Sequence, residues 1–283
     1  MTVKTGVNRT ASVLGQVLLG AWFFVILIPL IVALLSSLKT NNAIYRNPLG
    51  LDFATFRPEN FIEALQGPLG GAPLWTYIGN SVIASVGSIV IGMSAGILAA
   101  YGLARAQTKM SEILNRVFTV LITVPILATL VPLFTLTGAL GIRDNPFGLA
   151  LVYAAFMVPP TTVMMRPYFA AVPRELIEAA MLDGANEARV FLRVVLPVVF
   201  PTVLGIIVIN VIWAWSELAI SLVLLVSPGS KTLPVGLLAF QGQYSTNLGV
   251  QAAGLLLAAA PMVVLYFIFS RRITEGMGAG VFK

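Results

Sequence analysis

Val172-Pro173-Arg174-Glu175-Leu176-Ile177-Glu178-Ala179-Ala180-Met181-Leu182-Asp183-Gly184-Ala185 is a charged island between long apolar runs. Pro173 suits the first turn of a helix, where its missing N–H is not needed. Glu175 and Glu178 then sit near the positive end of that helix's dipole. Ala179 and Ala180 are strong helix formers, and their small side chains let another surface approach closely. Gly184 is placed to end the helix in a left-handed conformation. A second helix is predicted from about Asn186 to Val195, with Phe191, Val194 and Val195 at helical spacing. Leu196-Pro197 and Pro201 are predicted to break or redirect the chain after it. The stretch therefore reads as two short helices joined by a sharp glycine turn. Two roles stand open at this level: an amphipathic connector on a membrane surface, and a docking element for a soluble partner. The acids Glu175, Glu178, Asp183 and Glu187 weigh against the first, which favours a one-sided cationic face.

The chain around this island is apolar. Of 283 residues, 58% are hydrophobic and only 10% are charged, where a soluble domain carries roughly 25% charged residues. The mean hydropathy is +0.94. So few charges do not cover a water-facing surface, so lipid must be the solvent. Spanning helices need about 20 mainly apolar residues. Six candidates meet that length: 13–38, 76–103, 113–138, 147–168, 200–226 and 252–271. The first follows Lys4 and Arg9 and exceeds the roughly 7–15 apolar residues of a cleavable signal, so it reads as a span. Gly67, Pro68, Gly70, Gly71 and Pro73 mark loop before the second. An outer polar stretch from Lys39 to Trp75 holds Asp52, Glu59 and Glu63, with a short surface helix predicted over 58–66.

Lys and Arg set the orientation. With six spans, one set of loops and ends holds 12 of the 17 basic residues and the other holds 5. The richer set, which includes both termini and the 167–201 interval, is expected in the cytoplasm. The net charge of +6 thus reports topology, and no nucleic-acid partner is expected. The chain has no Cys and no His, which excludes disulfides, thiolate metal sites, Cys nucleophiles and His-based catalysis. No catalytic residue and no metal site are predicted.

Glu178-Ala179-Ala180, then Gly184, then Leu196-Pro197 resemble the EAA loop of ABC importer permeases in residue type and spacing. Pro173, Glu175, Leu176, Asp183 and Ala185 match the form of that loop common in the sugar-importer branch. Further similarities are Asn80-Ser81, Val131-Pro132-Leu133, Leu140-Gly141-Ile142, Trp215-Ser216-Glu217-Leu218 and Thr232-Leu233-Pro234-Val235-Gly236-Leu237. The tail from Arg271-Arg272 through Gly276, Gly278 and Gly280 to Lys283 is also similar. The resemblance covers roughly 76–283 and is nearest the MalG-like permeases of carbohydrate uptake. Ser216 stands where the family commonly has Asn, and Phe282 departs from the tail pattern.

The resemblance implies an all-α membrane protein of six transmembrane helices, with a cytoplasmic coupling-helix (EAA) loop at 173–197 between helices 4 and 5. Residues 1–75 would be a first span with its external loop, and 76–283 the permease core. Glu175, Glu178, Ala179, Ala180, Asp183, Gly184, Leu196 and Pro197 would couple to a cytoplasmic ABC ATPase dimer. ATP and Mg would be held by that partner, with no cofactor on this chain. The chain has no G-x-x-x-x-G-K-[ST] phosphate loop of its own. A second homologous permease, an extracytoplasmic solute-binding protein and a carbohydrate-type solute would complete the system, as a multi-pass component of the cell membrane.

Candidate residues for the translocation path are Asn80, Thr123, Asn210, Trp213, Trp215 and Glu217. The two tryptophans either stack on a sugar ring or anchor at the membrane interface. Glu217 is the one carboxylate inside a predicted span, and such charges are either functional or hydrogen-bonded within the bundle. Gly92 and Gly96 form a small-residue face suited to close helix packing. The competing reading is a secondary transporter driven by an ion gradient. That class carries inverted repeats and an interior ion site; no repeat is evident, and Glu217 stands alone.

Overall fold

The structure, a computed structural model, describes residues 9–50, 55–106, 108–241 and 247–278. Lys4, Asp52 and the tail residues 279–283 lie outside them. In chain order the helices are α1 (Arg9–Ser37), α2 (Asn41–Arg46), α3 (Glu59–Gln66), α4 (Leu74–Ser88), α5 (Ser94–Ala106), α6 (Lys109–Ile122) and α7 (Ile126–Ala139). They continue as α8 (Pro146–Ala170), α9 (Arg174–Leu182), α10 (Glu187–Val190), α11 (Leu196–Ser216), α12 (Ala219–Leu224), α13 (Leu233–Leu238) and α14 (Leu248–Gly278). Among the described residues no strand forms; Lys39 and Phe56 make an isolated antiparallel bridge. Five stretches are long and apolar enough to cross a membrane, or six if the bent pair α6–α7 counts as one span.

The chain divides into two contact units, Met1–Gly67 with Phe240–Leu257, and Pro68–Ala239 with Ala258–Lys283. In the first, the predicted surface helix is present as α3. Its buried Asn60 donates through Nδ2 to the carbonyls of Ser37 and Lys39, at 3.0 and 2.9 Å. The Ser37 carbonyl is an orphan acceptor at the end of α1 and that of Lys39 lies two residues past it, and the one side chain satisfies both.

In the second unit, α4, a π turn (Ile89–Met93) and α5 form one apolar stretch packed along α8. The π turn inserts an extra residue. Gly87, Gly92 and Gly96, spaced by five and then four, therefore share one face. A Cβ on Gly92 would lie 2.8 Å from the Ala154 carbonyl oxygen, and one on Gly96 2.7 Å from Thr161 Cβ. The predicted small-residue face is thus the seam between this stretch and α8.

Two spans differ from the sequence expectation. The stretch predicted as one helix over 113–138 is α6 and α7, which meet at 97°. Pro125 has no N–H and pushes Val124 out of the helical region. The N–H groups of Thr123 and Val124 fold back onto the carbonyls of Val120 and Leu121 instead. The fifth stretch, expected over 200–226, begins earlier and stops at Ser216, with α12 as a separate element. Nor does Leu196-Pro197 break the chain: α10 runs into α11 through a second π turn, Phe191–Val195. A proline ring clashes with the carbonyl four residues earlier; the widened turn just upstream relieves that clash and lets helix continue through Pro197.

Candidate functional site

α9 begins directly after Pro173, with Glu175 in its first turn. Its buried residue is Ile177, 3% exposed, which enters a cluster with Met165, Phe169, Val190, Phe191 and Val195. The rest of the helix faces outward: Glu175, Leu176, Glu178, Ala179, Met181 and Asp183 are exposed, and Leu182 is 89% exposed. Ala180 is half-buried under this surface. Gly184 takes φ +81°, the left-handed region predicted for it. The N–H of Ala185 bonds the Ala180 carbonyl and that of Gly184 the Met181 carbonyl, both at 3.0 Å. This is the paired closure of a Schellman motif. Asn186 then caps α10 by accepting from the Arg189 N–H at 3.0 Å. Leu196 is half-buried against the same cluster, and Pro197 is exposed at the start of α11.

One polar feature of the hairpin was not legible beforehand. Glu187 Oε1 accepts the Tyr101 hydroxyl at 2.6 Å and lies 3.5 Å from Arg105 Nε, both on α5. The Tyr101 ring packs against Phe169 and Phe191 in a three-ring cluster, with centroids 5.6 and 4.8 Å away. Glu187 and Tyr101 are 86 residues apart, a separation that no local pattern reveals.

The path candidates do not converge on one site. Asn80 Nδ2 donates to the carbonyls of Gly229 and Lys231, both at 2.9 Å, and so holds a loop. Thr123 is exposed at the α6–α7 break, its hydroxyl bonded to the Val120 carbonyl at 2.7 Å. Asn210 Nδ2 donates to the Ile206 carbonyl at 3.0 Å and to Met93 Sδ at 3.3 Å. Trp215 Nε1 donates to the Ala258 carbonyl at 3.4 Å. Trp213 and Glu217 do meet, at Tyr153. The Trp213 ring packs edge-on to Tyr153 at 5.2 Å, and the Tyr153 hydroxyl donates to Glu217 Oε2 at 2.6 Å. The other carboxylate contacts come from the N–H groups of Ile220 at 2.7 Å and Ser221 at 3.1 Å. Glu217 therefore caps α12, and this is why the long helix stops there.

α8 is 25 residues long, which places its two ends about 37 Å apart at 1.5 Å per residue. At the end away from the hairpin, Asp144 adopts φ 57° and accepts from the N–H groups of Val226 and Ser227 at 2.8 and 2.9 Å. The hydroxyls of Ser227 and Ser230 also donate to it. Burial pushes the Asp144 carboxyl up, but these hydrogen bonds outweigh it and hold the pKa at about 2, below the ordinary 3.8. A depressed folded pKa means that the stabilisation is complete above pH 3.8 and is lost as pH falls through about 2. Asp144→Asn tolerates the same backbone but loses the charge. With solvent screening these exposed bonds, it is expected to lower stability by about 1 kcal/mol at neutral pH, read as a lower melting temperature in detergent. The deficit should shrink as both proteins are taken towards pH 2; a deficit that stays constant would refute this clasp.

Fold and hairpin together define a polytopic helical membrane protein with a structured polar element at one end of its bundle. The profile of the binding-protein-dependent transport system inner membrane component family matches residues 88–274, and the chain belongs to that family. It is 30% identical over 278 residues to a probable ABC transporter permease protein, YurM, of Bacillus subtilis, covering 95% of this chain and 89% of that one. It is 28% identical to the diacetylchitobiose uptake system permease protein NgcG of Streptomyces coelicolor, covering 98% and 90%. Its fold is similar to a chain from the crystal structure of a bacterial ABC transporter that imports the acidic polysaccharide alginate. The TM-score is 0.77 at 20% identity, over 96% of this chain and 99% of that one. The protein is a membrane-embedded permease component of a binding-protein-dependent importer.

Proposed function

We propose that this permease serves an ATP-driven importer of a sugar or sugar derivative, and that the 173–197 hairpin is its coupling loop. The observation that carries this reading is the outward face of α9: Glu178, Ala179 and Asp183 exposed, held over a buried Ile177 and closed by Gly184. A rigid, small-residue face of this kind fits a groove on a soluble partner. The partner on this reading is a dimer of cytoplasmic ABC ATPases, which bind ATP and Mg. Glu178 pairs with a basic residue there, Ala179 and Ala180 permit close packing, and Gly184 makes the turn. Closure of the dimer moves the docked hairpin, and rigid-body rocking of the bundle alternates access. The hairpin then lies in the cytoplasm between the fourth and fifth of six spans, with both termini on that side. Residues 76–283 form the permease core. A sister permease completes the pore, and a solute-binding protein delivers solute to the opposite face. The diacetylchitobiose relative and the alginate importer support a carbohydrate class of solute.

The test is to purify the tagged chain from its native membrane in mild detergent and assay the eluate for ATP hydrolysis. Activity should co-elute with the unaltered chain. It should be lost from a Glu178→Lys, Gly184→Asp variant that still inserts. An intact complex without ATPase would put the ion-driven transporter in front.

A further inference from the structure

Glu187 belongs neither to the matched loop pattern nor to the outward face of α9, yet it makes the hairpin's longest reach into the bundle. The turn and α10 are tied into one body. Arg189 Nη1 donates to the Gly184 carbonyl at 3.3 Å, and Asn186 caps the Arg189 N–H. Besides the Ile177 contact of α9 with Met165 and Phe169 on α8, two routes lead from this body to the membrane spans. One follows the chain into α11 and passes through the Phe191–Val195 π turn, where the regular i to i−4 ladder is interrupted. Such a turn bends more readily than α-helix. The other crosses space from Glu187 to Tyr101 and Arg105 on α5. Tyr101 is 8% exposed and packs against both Phe169 and Phe191, so a pull on its hydroxyl moves a packed ring, not a loose side chain. α5, which carries Tyr101, is seated on α8 at Gly96, where a Cβ would lie 2.7 Å from Thr161 Cβ, so this contact has no slack to absorb a displacement.

We infer that Glu187 is the positioning residue that delivers hairpin motion to α5, through Tyr101 and Arg105, in preference to the chain path into α11. The inference rests on the coupling-loop reading above. It separates two tasks within one hairpin: α9 holds the ATPase, and the Glu187 tie passes the stroke onward.

The chain has no cysteine, so an introduced thiol is its single labelling site, read on this chain after the subunits are separated by denaturing gel. Thr123→Cys places it at the exposed α6–α7 break. The complete transporter, with ATPase, sister permease and binding protein, is labelled with a maleimide with and without ATP plus vanadate. Glu187→Gln and Tyr101→Phe are compared in this background; the second keeps the aromatic packing and removes only the hydroxyl. Both should still co-purify with the ATPase, while the ATP-dependent change in labelling falls about tenfold, a coupling loss of the usual allosteric size. An unchanged labelling response in both variants would overturn the inference. So would departure of the ATPase from both, since Glu187 would then build the dock and not transmit from it. A wild-type complex with no ATPase defeats the coupling-loop reading itself, and the tie falls with it.

Discussion

Ala179→Trp is expected to abolish ATP-driven uptake while the permease remains folded. Ala179 is exposed on α9, one turn before the Gly184 closure, and it contributes nothing to the buried cluster around Ile177. An indole there has open space in the free chain. Against a docked groove it stands between two surfaces that meet closely only because the side chain is a methyl group. Truncating or obstructing a central interface position commonly costs 2–4 kcal/mol, which corresponds to a loss of roughly thirtyfold to a thousandfold in ATPase retention. The measurement pairs co-purified ATPase with the melting temperature of the permease. Full retention at an unchanged melting temperature would show that α9 is not the docking face. Loss of both would point to folding, so Ala179→Ser serves as the control that should keep both.

Glu217→Ala should strongly destabilise the bundle. Its carboxylate is 9% exposed and accepts from the Tyr153 hydroxyl and two N–H groups of α12. Removing it leaves three buried donors without partners in a region where lipid offers none. The cost expected is about 3–5 kcal/mol, from about 1–3 kcal/mol per orphaned group with partial relaxation. It would be read as a fall in melting temperature in detergent. Glu217→Gln keeps one acceptor and should lose less. A transport defect in Glu217→Gln with full stability would assign the residue to the solute path instead of the cap.

The parts of the site legible in the sequence are those closed by neighbours a few residues apart. Pro173 starts α9, Gly184 ends it at positive φ, and Asn186 begins the next helix, because each satisfies backbone groups within one turn. The position of the α6–α7 bend follows from Pro125 in the same local way. Its 97° angle does not, since α12 packs against α7 and comes from almost a hundred residues later. Pro197 misled the sequence reading for a related reason: whether a proline breaks a helix depends on slack nearby, and the π turn supplies it.

The sequence alone determined the class of protein, its helical membrane architecture and the glycine-closed hairpin, because hydropathy, charge placement and helix ends are set by composition and short-range hydrogen bonding. Only the tertiary structure decided how the polar side chains are used. Glu217 finds Tyr153 across 64 residues, Asp144 finds Ser227 across 83 and Glu187 finds Tyr101 across 86. A carboxylate in an apolar chain must find donors somewhere, and that necessity is visible in one dimension. Which donor it finds is set by which helices pack together, and here the glycine seam along α8 and the two π turns determine that register.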